Sequence, residues 1–126
     1  MKIRVYYEDT DIGGIVYHSN YLNFCERARS EVFFARGINP GSMSDGFVVR
    51  KVEAEFLGSA TLGDMLEVRT QVLEQKRSTI WLLQEIFKDD MKLFSAKVLL
   101  VYINNGKINK IPQHYEEIFA DFKLQG

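Results

Sequence analysis

The chain opens with alternating apolar and polar positions and then changes to a helical spacing. Residues 3–8 alternate as a half-buried strand does, with Tyr7 at the strand end, and the run stops at the glycine-containing segment 9–14. From His18 onward the apolar positions recur at steps of three, four and seven, at Tyr21, Phe24, Cys25, Ala28, Val32 and Ala35. This spacing predicts one long helix that ends at Gly37.

The predicted helix is apolar around more of its circumference than one buried face requires. Leu22, Phe33 and Phe34 lie off the apolar stripe. Burial by a second subunit is one explanation for these three side chains.

The rest of the chain carries strand patterns separated by turn residues. Four strand-like runs lie at about residues 47–57, 65–74, 79–88 and 93–104. Pro112 takes the first position of a short C-terminal helix whose apolar residues are Tyr115, Ile118, Phe119 and Phe122. This order predicts an α+β fold, in which one curled antiparallel sheet of about five strands wraps around one long central helix.

Composition and charge narrow the classes of function. The 126 residues, 46% of them hydrophobic, predict a single domain over residues 1–126. With 16 basic and 17 acidic side chains, the chain has no excess charge that favours nucleic acid or an anionic membrane as a partner. Cys25 is the only cysteine, which excludes an intrachain disulfide and the usual structural zinc patterns and favours the cytoplasm. The longest apolar run, Val98 to Ile103, is far below the roughly 20 residues that span a bilayer, so we expect no transmembrane helix or signal peptide.

The loop before the long helix holds residues suited to thioester chemistry. Gly13 and Gly14 can take positive φ and let the backbone approach a ligand, while the helix start near His18 offers unpaired N–H groups. Such a helix end stabilises an oxyanion. A carboxylate in the same loop can attack a thioester carbonyl or take a proton from an attacking water, and Asp11 is the candidate.

The pattern around these residues resembles a known family. The run Asp-x-Asp-x-x-Gly-x-Val enters the helix, and Phe-Cys-Glu-Arg-Ala-Arg follows within it. The segment Tyr7 to Arg29 thereby resembles the 4-hydroxybenzoyl-CoA thioesterase family of hotdog proteins, and more closely its YbgC-type acyl-CoA thioesterase branch, which is often associated with the Tol-Pal cell-envelope system. The resemblance implies a hotdog hydrolase of lipid metabolism that converts an acyl-CoA to a carboxylic acid and CoA, with no metal and no cofactor beyond the CoA of the substrate.

The resemblance also implies roles for individual residues. Asp11 matches the nucleophile or general base, and the backbone at Tyr17 and His18 matches the group that polarises the carbonyl. YbgC-type members carry a histidine at position 18, where 4-hydroxybenzoyl-CoA enzymes have another residue, and its imidazole is suited to protonate the departing thiolate or orient water. Tyr7 is suited to place a hydroxyl in the site.

Each of these side chains also has a purely structural interpretation. Asp11 on its own fits a turn or capping aspartate, His18 an exposed residue of a first helical turn, and Tyr7 an amphipathic core tyrosine. We expect Asp9 to hold the loop rather than react, because two neighbouring carboxylates repel each other in a buried site.

Glu26 is the alternative catalytic carboxylate, because some hotdog thioesterases place theirs on the central helix. Its structural interpretation is a surface glutamate paired with Arg29 or its neighbours. Cys25 lies on the buried stripe without an evident activating base, so we expect a core residue and not a nucleophile.

A local basic cluster is needed to hold the phosphates of CoA. Lys76, Arg77 and Ser78 match a basic turn that contacts the nucleotide in 4-hydroxybenzoyl-CoA thioesterases. Arg50-Lys51 is a second candidate, and solvated surface charge is the structural interpretation of both.

The expected partners follow from the same resemblance. We expect a homodimer with sites at the subunit boundary that assembles into a homotetramer, located in the cytoplasm or peripherally at the inner membrane, with acyl carrier protein or envelope proteins as further partners. Two other functions stay open: a non-catalytic acyl-binding or scaffold subunit, and a hotdog hydratase acting on acyl-CoA or acyl carrier protein. The hydratase pattern Asp-x-Asn-Pro with a following histidine is not matched by Asn39-Pro40.

Overall fold

The computed structural model describes residues 1–122, so residues 123–126 of the predicted domain lie outside the described residues. In chain order, the elements are β1 (Lys2–Arg4), a single 3-10 turn (Tyr7–Asp9), α1 (His18–Phe34), β2 (Asp45–Phe56), β3 (Met65–Gln75), β4 (Thr79–Lys88), β5 (Met91–Asn104), β6 (Lys107–Ile108) and α2 (Gln113–Phe122).

The strands form one antiparallel sheet in the order β1-β3-β4-β5-β2, with the two-residue strand β6 beside β5. The α+β prediction is confirmed, and the four long strands begin and end within two residues of the predicted positions. The sheet has six strands instead of about five. The additional strand arises because Asn105 and Gly106, both at positive φ, turn the chain back against the end of β5.

The predicted first strand is wrong at its C-terminal end. β1 stops at Arg4, because the backbone of Tyr6 bonds to Asp9 instead of to a neighbouring strand: its carbonyl accepts the N–H of Asp9 at 3.0 Å, and its N–H donates to the Asp9 carboxylate at 2.9 Å. Tyr7 therefore lies in a 3-10 turn with 81% of its surface exposed. It is neither a strand end nor a core residue of this chain.

Irregular pairing bends the sheet around α1. The register shifts between Val49 and Lys51, between Val72 and Glu74, and between Ile86 and Phe87, so three neighbouring strand pairs each carry one irregularity. An extra residue on one strand increases the local twist and bends that strand. The helix contacts β3 and β4 on the concave face, where its predicted stripe from Tyr21 to Val32 is buried.

A buried polar network ties the middle of α1 to the sheet. The amide of Gln84, on β4, donates to the Cys25 carbonyl at 2.9 Å and to the Thr70 hydroxyl at 3.0 Å, and its oxygen accepts from Arg29 at 3.2 Å. Gln84 and Thr70 are fully buried, so these bonds replace the hydrogen bonds to water that both side chains lose on folding. Burial raises the pKa of the Cys25 thiol to about 12, which agrees with a core role for it.

The second helix explains part of the extra apolar surface of α1. Phe33 is buried by Phe47, Tyr115 and Phe119 of the same chain, so no second subunit is needed to cover it. Leu22 and Phe34 stay exposed.

The start of α2 also differs slightly from its prediction. Pro112 precedes the helix as its cap, and its carbonyl accepts the N–H groups of Tyr115 and Glu116. The four predicted apolar residues of α2 are all buried.

The carboxylate of Asp45 joins the start of β2 to β5 and to α2. We name this group of hydrogen bonds the carboxylate clasp. Asp45, at the start of β2, accepts hydrogen bonds from the hydroxyls of Ser42, Tyr102 and Tyr115. These bonds, that from Ser42 first, hold the pKa of Asp45 below its ordinary value. Burial and the neighbouring carboxylate raise the pKa of Tyr102 to about 12.

We predict that Asp45→Asn lowers the Tm at pH 7 by a few degrees, because the charged acceptor of three hydroxyls is lost. A carboxyl group with a depressed folded-state pKa contributes stability above its unfolded pKa of about 3.9, and that contribution is lost as the pH falls through the folded value. The Tm difference between wild type and variant should therefore shrink between pH 7 and pH 3. Asp90→Asn in an exposed turn is the control, and an unchanged difference at pH 3 would contradict the clasp.

Candidate active site

The loop that contains Asp11 is a short antiparallel hairpin that leads directly into α1. The N–H of Tyr17 donates to the Asp9 carbonyl at 3.0 Å, Thr10 forms a bridge with Val16, and the N–H of Asp11 donates to the Ile15 carbonyl at 2.9 Å. The pairing places Asp11 two residues, or about 7 Å, beyond the Asp9–Tyr17 pair that precedes the helix. The hairpin thus brings the candidate carboxylate to the helix start.

The two glycines of the hairpin have different tasks. Gly14 adopts φ +81°, which residues with a Cβ rarely do, and it closes the turn through a 3.0 Å bond to the Asp11 carbonyl. Gly13 leaves room for the acid, because a Cβ at this position would lie 3.2 Å from the Asp11 carboxylate.

The Asp11 side chain combines a turn bond with exposure. Its Oδ1 accepts the N–H of Gly13 at 2.8 Å, the bond expected of a turn aspartate. The side chain is nevertheless exposed and lines an open pocket of about 460 Å³ together with Tyr7, Ile12 and Leu62. The structure therefore brings Tyr7 and Asp11 to one pocket, and sequence reasoning missed its apolar members Ile12 and Leu62.

The first residue of α1 has a backbone donor without a partner among the described residues. No hydrogen bond between residues 1–122 uses the N–H of His18. The N–H of Tyr17, in contrast, donates to the Asp9 carbonyl at 3.0 Å, and the oxyanion role of the Tyr17 backbone stays a prediction. The His18 imidazole is exposed and lies edge-on to Phe56 with ring centroids 6.2 Å apart.

Asp9 holds the loop, as expected. Only 5% of its surface is exposed, its carboxylate caps the 3-10 turn, and its carbonyl accepts from Tyr17 and from the Asn20 side chain at 2.9 Å. The role of Asn20 was not predicted. Its only sequence signal is a polar amide in the first turn of the helix, which many helices carry.

The loop between β2 and β3 anchors this assembly to the sheet. The carbonyl of Ala60 accepts the N–H of Val16 at 2.9 Å, and the N–H of Ala60 donates to the buried Tyr21 hydroxyl at 3.1 Å. Ile15 also forms a bridge with Thr61. These backbone contacts have no side-chain signature, which is why the sequence did not indicate them.

Comparison with known proteins places this arrangement in a family. The family model described as "Thioesterase superfamily" matches residues 13–95, which include most of the hairpin, all of α1 and most of the sheet. The chain belongs to the thioesterase superfamily. The predicted resemblance and the hotdog fold are confirmed.

Other members of the superfamily match nearly the whole chain. "Acyl-CoA thioesterase YbgC" from Helicobacter pylori is 38% identical over 131 residues, covering 95% of this chain and 98% of the relative. A crystal structure of a hypothetical protein from Aquifex aeolicus superposes with a TM-score of 0.88 at 30% identity, covering 94% and 97% of the two chains. A probable thioesterase from Bartonella henselae gives a TM-score of 0.83 at 33% identity, with 89% and 97% covered.

Glu26, the alternative catalytic carboxylate of this thioesterase-superfamily chain, does not line the Asp11 pocket. It is eight residues along α1 from His18, which corresponds to about 12 Å. Its Oε1 accepts the hydroxyl of Ser30 at 2.8 Å, which agrees with a surface glutamate bonded to a neighbour of Arg29, and among the residues described it has no ion pair with Arg29 itself.

The structure does not bring the basic turn to Asp11 within one chain. Lys76, Arg77 and Ser78 follow the C-terminal end of β3, whereas the Asp11 hairpin lies beside its first residues, so the strand separates them by roughly 30 Å. Lys76 pairs with Glu74 at 3.4 Å. Lys51, of the second basic pair, bonds to Glu53 at 3.2 Å on exposed β2.

Metal-binding clusters and membrane-spanning helices are absent from residues 1–122. Residues 1–122 contain no group of three or more His, Cys, Asp and Glu side chains that could hold a metal ion. Over the same residues, neither helix has the length and apolar character to cross a bilayer.

Substitutions of Asp9 and of Asp11 should change the stability of the protein by different amounts. We predict that Asp9→Ala lowers the free energy of unfolding by about 1–3 kcal/mol, because the N–H of Tyr6 loses a buried acceptor. Asp11→Ala should change it by no more than about 0.5 kcal/mol, since the side chain is exposed. Urea denaturation of both variants is the measurement, and equal losses would contradict the assigned division.

Proposed function

We propose that this member of the thioesterase superfamily hydrolyses acyl-CoA thioesters, with Asp11 as nucleophile or general base. The observation that carries the proposal is an exposed, pocket-lining carboxylate on a hairpin that leads directly into α1, whose first residue, His18, has a free backbone N–H. The relative named "Acyl-CoA thioesterase YbgC" supports acyl-CoA as the substrate class.

The proposed chemistry divides between the backbone and two side chains. The thioester carbonyl oxygen accepts the N–H of His18, and the partial positive charge of the helix end stabilises the negative charge that develops on that oxygen. In one route Asp11 attacks the carbonyl carbon, CoA thiolate leaves, and water then hydrolyses the mixed anhydride. In the other, Asp11 takes a proton from the water that attacks directly.

Both routes release a thiolate that needs a proton. The exposed His18 imidazole stands at the same helix end, and histidine can both donate and accept a proton, so we assign it this proton transfer or the orientation of water. The Tyr7 hydroxyl, on the same pocket as Asp11, is assigned to positioning the substrate or the water. The proposal requires no cofactor or metal beyond the CoA of the substrate.

We further propose a homodimer formed along β2. This strand is 12 residues long, lies at the sheet edge and is exposed along most of its length, and it carries Val48, Val49 and Phe56 with about half of each side chain exposed. A long apolar edge strand pairs readily with another chain. Since one chain keeps the basic turn far from Asp11, pairing also offers a way for Lys76, Arg77 and Ser78 of one copy to serve the site of the other.

We also propose that two such dimers assemble into a tetramer. The convex face of β4 and β5 carries Trp81, Leu83 and Leu99, each only partly buried in this chain, and a second dimer would cover them. Sedimentation equilibrium tests both levels of assembly, and a monomer at micromolar concentration would contradict them. A cytoplasmic or peripheral inner-membrane location and a partnership with acyl carrier protein or envelope proteins rest on the sequence resemblance alone.

We predict that Asp11→Asn lowers kcat/KM for acyl-CoA hydrolysis by at least about 100-fold, because an amide neither attacks a thioester nor accepts a proton. Glu26→Gln is the matched control and should stay within a few fold. Thiol release from a panel of acyl-CoAs is the measurement. Near-normal turnover of Asp11→Asn would contradict the assignment, and no turnover by the wild-type protein on any chain length would favour an acyl-binding or scaffold function.

We predict that substituting Lys76 and Arg77 together by alanine raises KM for acyl-CoA more than for an acyl-pantetheine lacking the nucleotide, because only the former carries phosphates for the cations to bind. The double alanine variant of Arg50 and Lys51 is the control. Equal effects of the Lys76/Arg77 variant on both substrates would rule out a phosphate contact by this turn.

A further inference from the structure

A second pocket lies at the other end of α1, away from the Asp11 hairpin. It has a volume of about 300 Å³ and is enclosed by the C-terminal half of α1, the start of β2 and α2. Its apolar walls are Phe33, Phe47, Leu100, Phe119 and Phe122. We name it the Arg29 pocket, after the cation that lines it.

The guanidinium of Arg29 carries its charge without a counter-ion in this pocket. It is partly buried, and its Nη1 donates to the neutral Gln84 oxygen at 3.2 Å. No carboxylate oxygen within residues 1–122 lies within 4 Å of it. Burial lowers the pKa of Arg29, and the nearby Glu26 carboxylate opposes that shift only in part. A partly desolvated cation without an ion pair is costly unless a ligand supplies the anion.

The remaining polar groups of the pocket are few. Glu26 lines it as well, but its Oε1 accepts the hydroxyl of Ser30, and it forms no ion pair with Arg29 within 4 Å. The guanidinium has five N–H donors in a planar fork, and this geometry fits the two oxygens of a carboxylate. One recognised ligand group is therefore a carboxylate.

The other walls of the pocket call for an apolar ligand body. Phe33, Phe47 and Phe119 pack against one another with ring centroids 5.4–6.2 Å apart, and this cluster forms the apolar side of the pocket that Arg29 also lines. Burying a hydrocarbon chain against such rings is favourable in proportion to the apolar area removed from water.

We propose that the Arg29 pocket binds a carboxylate carried on an apolar chain, with Arg29 holding the carboxylate and the phenylalanine rings holding the chain. Two sources supply this chemistry. One is a free carboxylic acid, the class of product that thioester hydrolysis releases. The other is the distal carboxylate of a dicarboxylic acyl group whose thioester lies at the Asp11 hairpin, and this second source rests on the proposed function.

The geometry of α1 makes the second source testable. His18, Leu22, Glu26 and Arg29 follow one another at steps of three and four and so share one face of the helix. This face meets β2 at both ends, because His18 contacts Phe56 and Phe33 contacts Phe47. Arg29 lies about 16 Å along the helix from His18, a distance that an extended acyl chain spans.

Calorimetric binding tests the pocket without any turnover, so its failure is separable from failure of the thioesterase assignment. The probe is octanoate, and octanol is the uncharged ligand of the same length. We expect wild-type protein to bind octanoate at least tenfold more tightly than octanol, and Arg29→Gln to lose that preference. Arg29→Lys, which retains the charge, should keep part of it. Arg27→Gln, an exposed arginine two residues away, should bind as wild type.

Kinetics on acyl-CoAs distinguishes the two sources. If the distal carboxylate is the ligand, Arg29→Gln should lower the ratio of kcat/KM for a fourteen-carbon dicarboxylic mono-CoA ester, which is long enough to span about 16 Å, to that for tetradecanoyl-CoA by about tenfold. If the free acid is the ligand, the ratio is unchanged and octanoate binding still falls. Equal affinity of wild-type protein for octanoate and octanol, or equal octanoate affinity of wild type and Arg29→Gln, would overturn the proposal.

Discussion

The candidate site depends on the hydrogen bonds of one buried residue, Asp9. Its carbonyl accepts the N–H of Tyr17 and the amide of Asn20, while its carboxylate receives the N–H of Tyr6. The residue therefore fixes the end of the first strand and the start of α1 at one point. Because it is buried, these bonds face little competition from water. Because Asp9 makes the hydrogen bonds that hold the hairpin, the carboxylate of Asp11, two residues further on, can remain exposed.

The two ends of α1 carry different chemical groups, and the curled sheet holds the helix between them. Three register shifts bend the sheet, and the Gln84 network holds the middle of the helix against it. At the N-terminal end a free N–H and a hairpin carboxylate face solvent. At the C-terminal end the Arg29 cation lines an aromatic pocket that α2 closes. A rigid helix about 25 Å long keeps these ends at a fixed separation.

Several site features could be predicted because they are properties of short segments. The glycine hairpin, the helix start at His18 and the apolar stripe of α1 all follow from local spacing, and they agree with the structure. The 3-10 turn at Tyr7 and the bonded N–H of Tyr17 were not foreseen, for a common reason. The hydrogen bonds that Asp9 makes to Tyr6 and Tyr17 compete with strand extension and with oxyanion binding, and neither partner choice is encoded in periodicity. The apolar pocket members Ile12 and Leu62 come from two loops that only folding brings together.

By itself, the sequence determined the fold class, the ends of the long strands, the family and the candidate carboxylate, because alternation, helical spacing and a dense motif are readable within a few residues. Only the tertiary structure decided which backbone donors are already used, that Phe33 is buried by α2 and not by a partner, and that the basic turn lies far from Asp11 in one chain. It also placed Arg29 among aromatic rings without a counter-ion. These facts depend on contacts between residues distant in sequence, and the strength of such contacts is set by burial and geometry that no local pattern contains.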